Sequence, residues 1–335
     1  MNGIVVNNNI RFKIKIFPRI HLSLIFMNKD GYRVNGGGGF AINEPSLTIE
    51  FSKSTYSKVI DCRTERVDKT ESQNFTHFLE QIIQLENLEH HANIRINDSD
   101  FSNHIGLGSG TALKLALVEG IFLLNERTIS RDKIILLSGR GGTSGVGINT
   151  YFDGGFSFDL GRKNIKHEIL LPSSANEYKY SKPLQLIKGT LPKWQIALGV
   201  FPNKTSISGN KEINFFKNSR ISNKSIQELV YEFIAGIIPS LMEDDYDTFC
   251  ESIKIIQRSE WKQKERTIFA HELLEIENLL YSKGVDAIAF SSLGPSILIF
   301  SKNIKELFCD KDLMKLNFKI ISTSFRNSGR EIIFC

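Results

Sequence analysis

The run Gly106-Leu-Gly-Ser-Gly-Thr111 narrows the choice of fold more than any other part of this sequence, because it leads without a break into a helical pattern. Leu113, Ala116, Leu117, Gly120, Ile121 and Leu124 recur at three- and four-residue spacing, the mark of a helix with one buried face. Gly106, Gly108 and Gly110 let the backbone approach a ligand closely. Ser109 and Thr111 supply hydroxyls where four helical N–H groups lack partners inside the helix. The combination reads as an anion seat. Its helix dipole is worth about 0.3–1 kcal/mol, or about 2 kcal/mol if partly buried, which orients a phosphate but does not hold a pyrophosphate alone. Close helix packing is the plain alternative. The run is neither a Walker loop nor a GxGxxG dinucleotide fingerprint.

Around this centre the chain alternates between sheet and helix. Ile10, Phe12, Ile14 and Ile16 alternate with Arg11, Lys13 and Lys15, so a half-buried strand is expected before Pro18. A second alternation, Leu47, Ile49 and Phe51, follows the glycine run 36–39, and a short strand is expected over 94–96. Helices are expected over 75–85, 130–140, 225–242, 244–257 and 265–282, with strands over 194–200, 286–290, 296–300, 318–323 and 331–334. The strands and helices lack regular βαβ periodicity, so an α+β fold of two layered domains fits better than a doubly wound sheet. The polar stretch 173–192 reads as a linker between an amino-terminal domain, 1–172, and a carboxy-terminal domain, 193–335.

Composition excludes several classes. Lys and Arg number 42 against 37 Asp and Glu, a net charge of +5, which is too mild and too scattered to indicate nucleic acid. It suits a small polyanionic substrate equally well. The longest apolar stretches fall short of the roughly 20 residues that span a bilayer, and no signal peptide is visible, so a cytoplasmic protein is expected. Cys62, Cys250, Cys309 and Cys335 show no framework spacing and fit reduced thiols.

Three further clusters surround the anion seat. Arg140-Gly-Gly-Thr-Ser-Gly-Val-Gly147 sets a fixed cation beside a flexible backbone through Gly141, Gly142, Ser144 and Gly145. Ser291, Ser292 and Gly294 form a small-residue turn between two strands. Arg19 and His21 follow the first strand, ahead of Arg33 and the glycine run. Together they look like parts of one site. For Arg140 the plain reading is a surface ion pair worth about 0–1 kcal/mol, yet its glycine neighbours favour a phosphate or carboxylate contact.

These segments, with Gly31-Tyr-Arg-Val-Asn-Gly-Gly-Gly-Gly-Phe40, Asp153-Gly-Gly-Phe156 and Gly209 with Glu212, occur in the order found in β-ribofuranosylaminobenzene 5′-phosphate synthases, which the chain resembles over nearly its whole length. That family is a branch of the GHMP kinase superfamily. The resemblance implies an amino-terminal domain like domain 2 of ribosomal protein S five, a ferredoxin-like carboxy-terminal domain and an active site between them. It also implies a reaction in which 5-phosphoribosyl 1-diphosphate and an aromatic or heteroaromatic carboxylic acid, such as p-aminobenzoate, give a C-riboside 5′-phosphate, pyrophosphate and CO2. Homodimers are common among the relatives.

On this reading 106–111 holds the diphosphate, Arg140 to Gly145 a phosphate or carboxylate, and Arg33 with the 291–294 turn further parts of the substrate. Arg19, His21 and Glu212 are the expected catalytic groups. Glu212 binds a cation, activates the acceptor's amino group or caps a helix. Mg2+ is expected from the substrate's charge, although no dedicated cage is visible. Phe290 departs from the glutamine often found before the turn, and it either faces the acceptor or belongs to strand core.

Two other functions remain open. An ATP-dependent small-molecule kinase of the same superfamily would use a similar glycine loop, but the expected aspartate is replaced by Gly147 in Ser144-Gly-Val-Gly147. A non-catalytic protein that senses a phosphorylated ligand would keep the loop without turnover. His90-His91 and His271-Glu-Leu-Leu-Glu275 lack the partners that a zinc site needs.

Overall fold

The structure, a computed structural model, describes residues 11–63, 69–97, 106–165, 171–172, 182–201, 207, 209–316 and 318–335. It begins with β1 (Arg11–Ile16), whose buried Phe12, Ile14 and Ile16 alternate with more exposed residues as the sequence requires. Immediately after Pro18 comes β2 (Arg19–Phe26), and the glycine run is the middle of β3 (Arg33–Ala41) rather than a connection. β4 (Leu47–Ser54), β5 (Lys58–Asp61), α1 (Lys69–Glu86) and β6 (His91–Asn97) follow. The loop at 106–108 then enters α2 (Ser109–Leu124), which is succeeded by α3 (Arg131–Ser138), α4 (Val146–Asp153), β7 (Phe156–Asp159) and β8 (Arg162–Lys163).

The stretch read as a linker contributes a strand, β9 (Gln185–Gly189), which pairs with β7. Its five residues, Gln185-Leu-Ile-Lys-Gly189, show no apolar alternation and none is fully buried, so no strand signal stands out between the surrounding prolines. Residues 173–181 of that stretch lie outside the described residues. The second half contains β10 (Ile196–Val200), α5 (Asn210–Asn218), α6 (Asn223–Tyr231), a π-helical turn at Glu232–Ile237, α7 (Ile238–Glu243) and α8 (Tyr246–Arg258). Next come α9 (Glu260–Arg266), α10 (Ala270–Ser282), β11 (Ala287–Phe290) and β12 (Ser296–Phe300). Two short helices, α11 (Ile304–Leu307) and α12 (Lys311–Lys315), lead to β13 (Lys319–Thr323) and β14 (Glu331–Phe334).

The described residues form three sheets. The first has the order β14-β1-β4-β6-β5, the second β2-β3-β7-β9 with β8 on β3, and the third β11-β12-β10-β13. The α2 helix lies against the first sheet, and Gly120 makes this close approach possible. A Cβ there would fall 2.3 Å from the Phe51 ring, which itself stacks on Phe12 at 4.9 Å. In β3 the same logic applies twice. A Cβ on Gly38 would sit 2.2 Å from the Phe233 ring, and one on Gly37 would sit 2.9 Å from His21. One large core runs through the first two sheets and α8, and a smaller one lies between the third sheet and α10. No helix among the described residues is long and apolar enough to cross a membrane.

Candidate active site

The start of β2 is tied to the glycine loop by three contacts. The Arg19 amide donates to the Leu107 carbonyl at 3.0 Å, and its guanidinium donates to the Gly106 carbonyl at 2.7 Å. Ser291, fully buried, donates from its hydroxyl to the same Gly106 carbonyl at 2.8 Å and accepts the His21 amide at 3.3 Å. Thus β2, the loop and the turn after β11 meet at one point, although the sequence separates them widely.

Backbone geometry explains the glycines. Gly106 and Gly108 have φ of 85° and 79°, in the left-handed region where a side chain is strained. Space is also taken: a Cβ at Gly106 would lie 2.5 Å from the Ser291 carbonyl, and one at Gly108 2.9 Å from the Arg19 guanidinium. Gly108 is the N-cap of α2 and offers no side-chain acceptor. Among the described residues the amides of Ser109 and Gly110 therefore have no hydrogen-bond acceptor, the condition in which a helix start attracts an anion.

The second glycine-rich segment is organised by an acid that the sequence did not single out. Asp159, fully buried on β7, accepts from the Ser144 hydroxyl and the Gly145 amide on one oxygen and from the Gly161 amide on the other, each at 2.9 Å. Burial pushes its carboxyl up to about 6, against the pull of these donors and of Arg33. Arg33 itself donates to the Leu160 and Gly161 carbonyls, the latter at 2.7 Å, and does not line the cleft. Its place is behind the segment, where it supports the turn that carries Asp159.

The cleft these segments enclose holds about 630 Å³ of open space. Arg19, His21, Thr111, Gly141, Ser144, Glu212 and Ser292 line it, together with Leu24, Thr143, Gly147, Pro172, Phe216, Glu265 and Leu293. Gly106, Gly108, Ser291 and Gly294 form the wall behind Arg19 rather than the lining, since a Cβ at Gly106 would also meet Gly294 at 2.8 Å. Arg140 stands beside the loop, its guanidinium 3.6 Å from where a Gly110 Cβ would be. Burial lowers its pKa and Glu212 raises it, so the two side chains are electrostatic neighbours. The Arg140 Nε is buried without an acceptor among the described residues. Gly142 and Gly145 serve through their backbones, the first accepting from Asn35 at 3.4 Å. His104 and Ile105 lie outside the described residues.

Electrostatics distinguishes the two catalytic candidates on β2. Burial, then the Arg19 and Lys262 charges, hold His21 well below the usual imidazole range, so it is neutral at pH 7. Burial brings Arg19 down to about 10, with Glu265 opposing, and it stays charged.

Lys262 and Glu265 were not anticipated. The helix expected from 265 in fact begins at Glu260, and its segment Glu260-Trp-Lys-Gln-Lys-Glu-Arg266 reads as a solvated charged face. Instead, Lys262 is fully buried and donates to Glu265 and, at 2.6 Å, to the Phe290 carbonyl. Trp261 donates to the other Glu265 oxygen at 2.8 Å. Burial lowers Lys262 and raises Glu265, while their contact draws each back toward its charged form. The one available signal was Trp261 at the apolar spacing of that helix. Phe290 is strand core: it is fully buried in the smaller core, 6.1 Å from Phe269, and does not line the cleft.

Among the described residues no group of three or more His, Cys, Asp and Glu side chains could hold a metal ion. His91 instead contacts Ser57 and Glu80.

Comparison with solved structures gives the class. Over 99% of its length the chain matches homoserine kinase from Cytophaga hutchinsonii, covering all of that chain with a TM-score of 0.67 at 14% identity. Mevalonate diphosphate decarboxylase from Enterococcus faecalis matches over 98% of this chain and 100% of its own, with a TM-score of 0.62 at 11% identity. The fold is that of the GHMP kinase superfamily. No protein-family model matches the chain. Among curated proteins, β-ribofuranosylphenol 5′-phosphate synthase from Methanocaldococcus jannaschii is 30% identical over 335 residues, spanning 94% of this chain and 98% of the relative. Its namesake from Archaeoglobus fulgidus is 28% identical over 330 residues, spanning 96% and 99%. The chain belongs to the β-ribofuranosylphenol 5′-phosphate synthase family and is accordingly an enzyme, a ribofuranosyl phosphate synthase.

Proposed function

We propose that the enzyme is a C-glycosyltransferase that joins the ribose of 5-phosphoribosyl 1-diphosphate to an aromatic carboxylic acid, with release of pyrophosphate and CO2. The observation that carries this reading is the convergence of Arg19, His21, Thr111 and Glu212 on one cleft, next to the helix start whose Ser109 and Gly110 amides are open, in a chain of this family. The acceptor class is p-aminobenzoate or, following the phenol in the relatives' name, a hydroxybenzoate.

The chemistry follows from the charges. The bond between ribose C1 and the diphosphate oxygen breaks with its electron pair leaving on pyrophosphate, which the loop amides, Arg19 and Arg140 stabilise. Positive charge develops at C1. A neutral His21 adds no repulsion there, whereas an imidazolium would, and the Glu212 and Glu265 carboxylates are of the favourable sign. The ring carbon bearing the carboxylate attacks C1, and the electrons of its bond to the carboxylate return to the ring as CO2 departs. No base is needed to remove a ring proton.

Mg2+ fits this cleft as a companion of the substrate. Glu212, which lines the cleft beside Arg140, is the carboxylate that would hold such a cation together with the substrate's diphosphate. A cation bound there would supply charge neutralisation for the departing diphosphate.

The test is incubation with phosphoribosyl diphosphate, Mg2+ and each acid, measuring pyrophosphate and CO2. Equal release of both supports the reading. Neither product with any acid, together with ATP turnover on an alcohol, would establish a kinase instead, and binding without turnover a sensor.

A further inference from the structure

A second basic hollow lies beside β11 and shares no lining residue with the cleft. It is open to solvent, with about 780 Å³ of space, and Lys254, Gln257, Arg258, Gln263, Arg266, Glu277 and Tyr281 contribute its polar groups. Three cations face one carboxylate. Arg266 is paired with Glu277. Lys254 reaches Glu251 at 2.7 Å, an exposed contact within one helix that contributes little. Arg258 has no ion-pair partner among the described residues.

Gln257 supplies an independent observation. It is 6% exposed, and its Oε1 accepts the Phe290 amide at 3.0 Å, which fixes the orientation of the side-chain amide. The buried Nε2 is left without an acceptor among the described residues. An unpaired buried N–H is costly, and an oxyanion in the hollow would accept its hydrogen. Burial, then Glu277, push the Tyr281 hydroxyl up, so it remains a proton donor. Guanidinium groups present forked donors to tetrahedral oxyanions, and the excess of positive charge matches a doubly charged phosphate better than a single carboxylate.

We propose that this hollow is a second anion site, which takes phosphate or the phosphate group of a small metabolite. Gln257 also holds the end of β11 through Phe290, the residue before Ser291 of the cleft turn, so the two sites share one strand.

Inorganic phosphate is the probe, titrated calorimetrically into the full chain. In Gly108→Val, whose cleft loop is obstructed, one phosphate should still bind. Adding Arg258→Ser, an exposed position that leaves the core untouched, should weaken that binding at least tenfold, and Gln257→Leu should weaken it comparably. Loss of binding only on the second substitution supports the hollow. Absence of binding in Gly108→Val, or binding that neither further substitution alters, overturns it. Two phosphates on Gly108→Val, only one sensitive to Arg258→Ser, would support the hollow while refuting the loop assignment made above.

Discussion

The two glycine-rich regions of this protein look alike in sequence and do opposite things. In β3 the room left by absent side chains is filled by the protein's own core, with Phe233 lying over Gly38 and His21 over Gly37. At 106–110 it is filled by groups that shape the cleft, since Arg19 lies over Gly108 and the Ser291 carbonyl over Gly106, while Gly110 meets nothing closer than Arg140 at 3.6 Å. A glycine run therefore marks close approach. What approaches decides whether the consequence is stability or function.

The largest effect is expected at Gly38→Val. Its Cβ would collide with the Phe233 ring, which is held fully buried, so overpacking should cost about 3 kcal/mol or more, read as a lower urea midpoint. A variant of undiminished stability would break the contrast. Gly108→Val should cost less in folding, about 1–2 kcal/mol for left-handed strain, yet reduce turnover at least a hundredfold because Arg19 must move. Near-normal turnover would show that the loop is packing alone.

A graded effect follows from His21, which packs on Gly37 and is linked to the 106–110 loop through Ser291. Its folded pKa is depressed, while the unfolded chain takes up a proton as pH falls through 6.5. The unfolded state then binds more protons, so stability is fully present above pH 6.5 and declines below it. Unfolding midpoints across this range should fall with pH in the native protein and much less in His21→Asn. The smallest change is expected for Gly110→Ala. An ordinary contact at 3.6 Å and better helix propensity should raise stability by about 0.5 kcal/mol. The added methyl beside the anion seat should raise KM several-fold.

The longer helices and most strands were legible because their apolar spacing is decided locally, as in α2 and β1, whereas the short α4, α5, α11 and α12 were not. β3 was not, since glycine has no side chain through which an alternation can be read, and β9 was hidden between prolines. Within the site, Arg19, His21, Thr111, Ser144 and Glu212 stood in recognisable segments and do reach the cleft. Arg33 stood in one too but serves the backbone behind it. Lys262 and Glu265 escaped notice for a different reason. Their charges suggest water, and only the seating of α9 beneath Phe290 buries them. The same seating gives these residues a structural role, because loss of one member of a buried pair strands the other.

Antiparallel pairing of β14 with β1 brings together segments that stand nearly a whole sequence apart. Such a contact closes a very long loop before it returns any stabilisation, which slows folding. The edge of β1 that β14 covers therefore stays bare until residues 331–334 fold back onto it. A chaperone that shields strand edges has its natural opportunity in that interval.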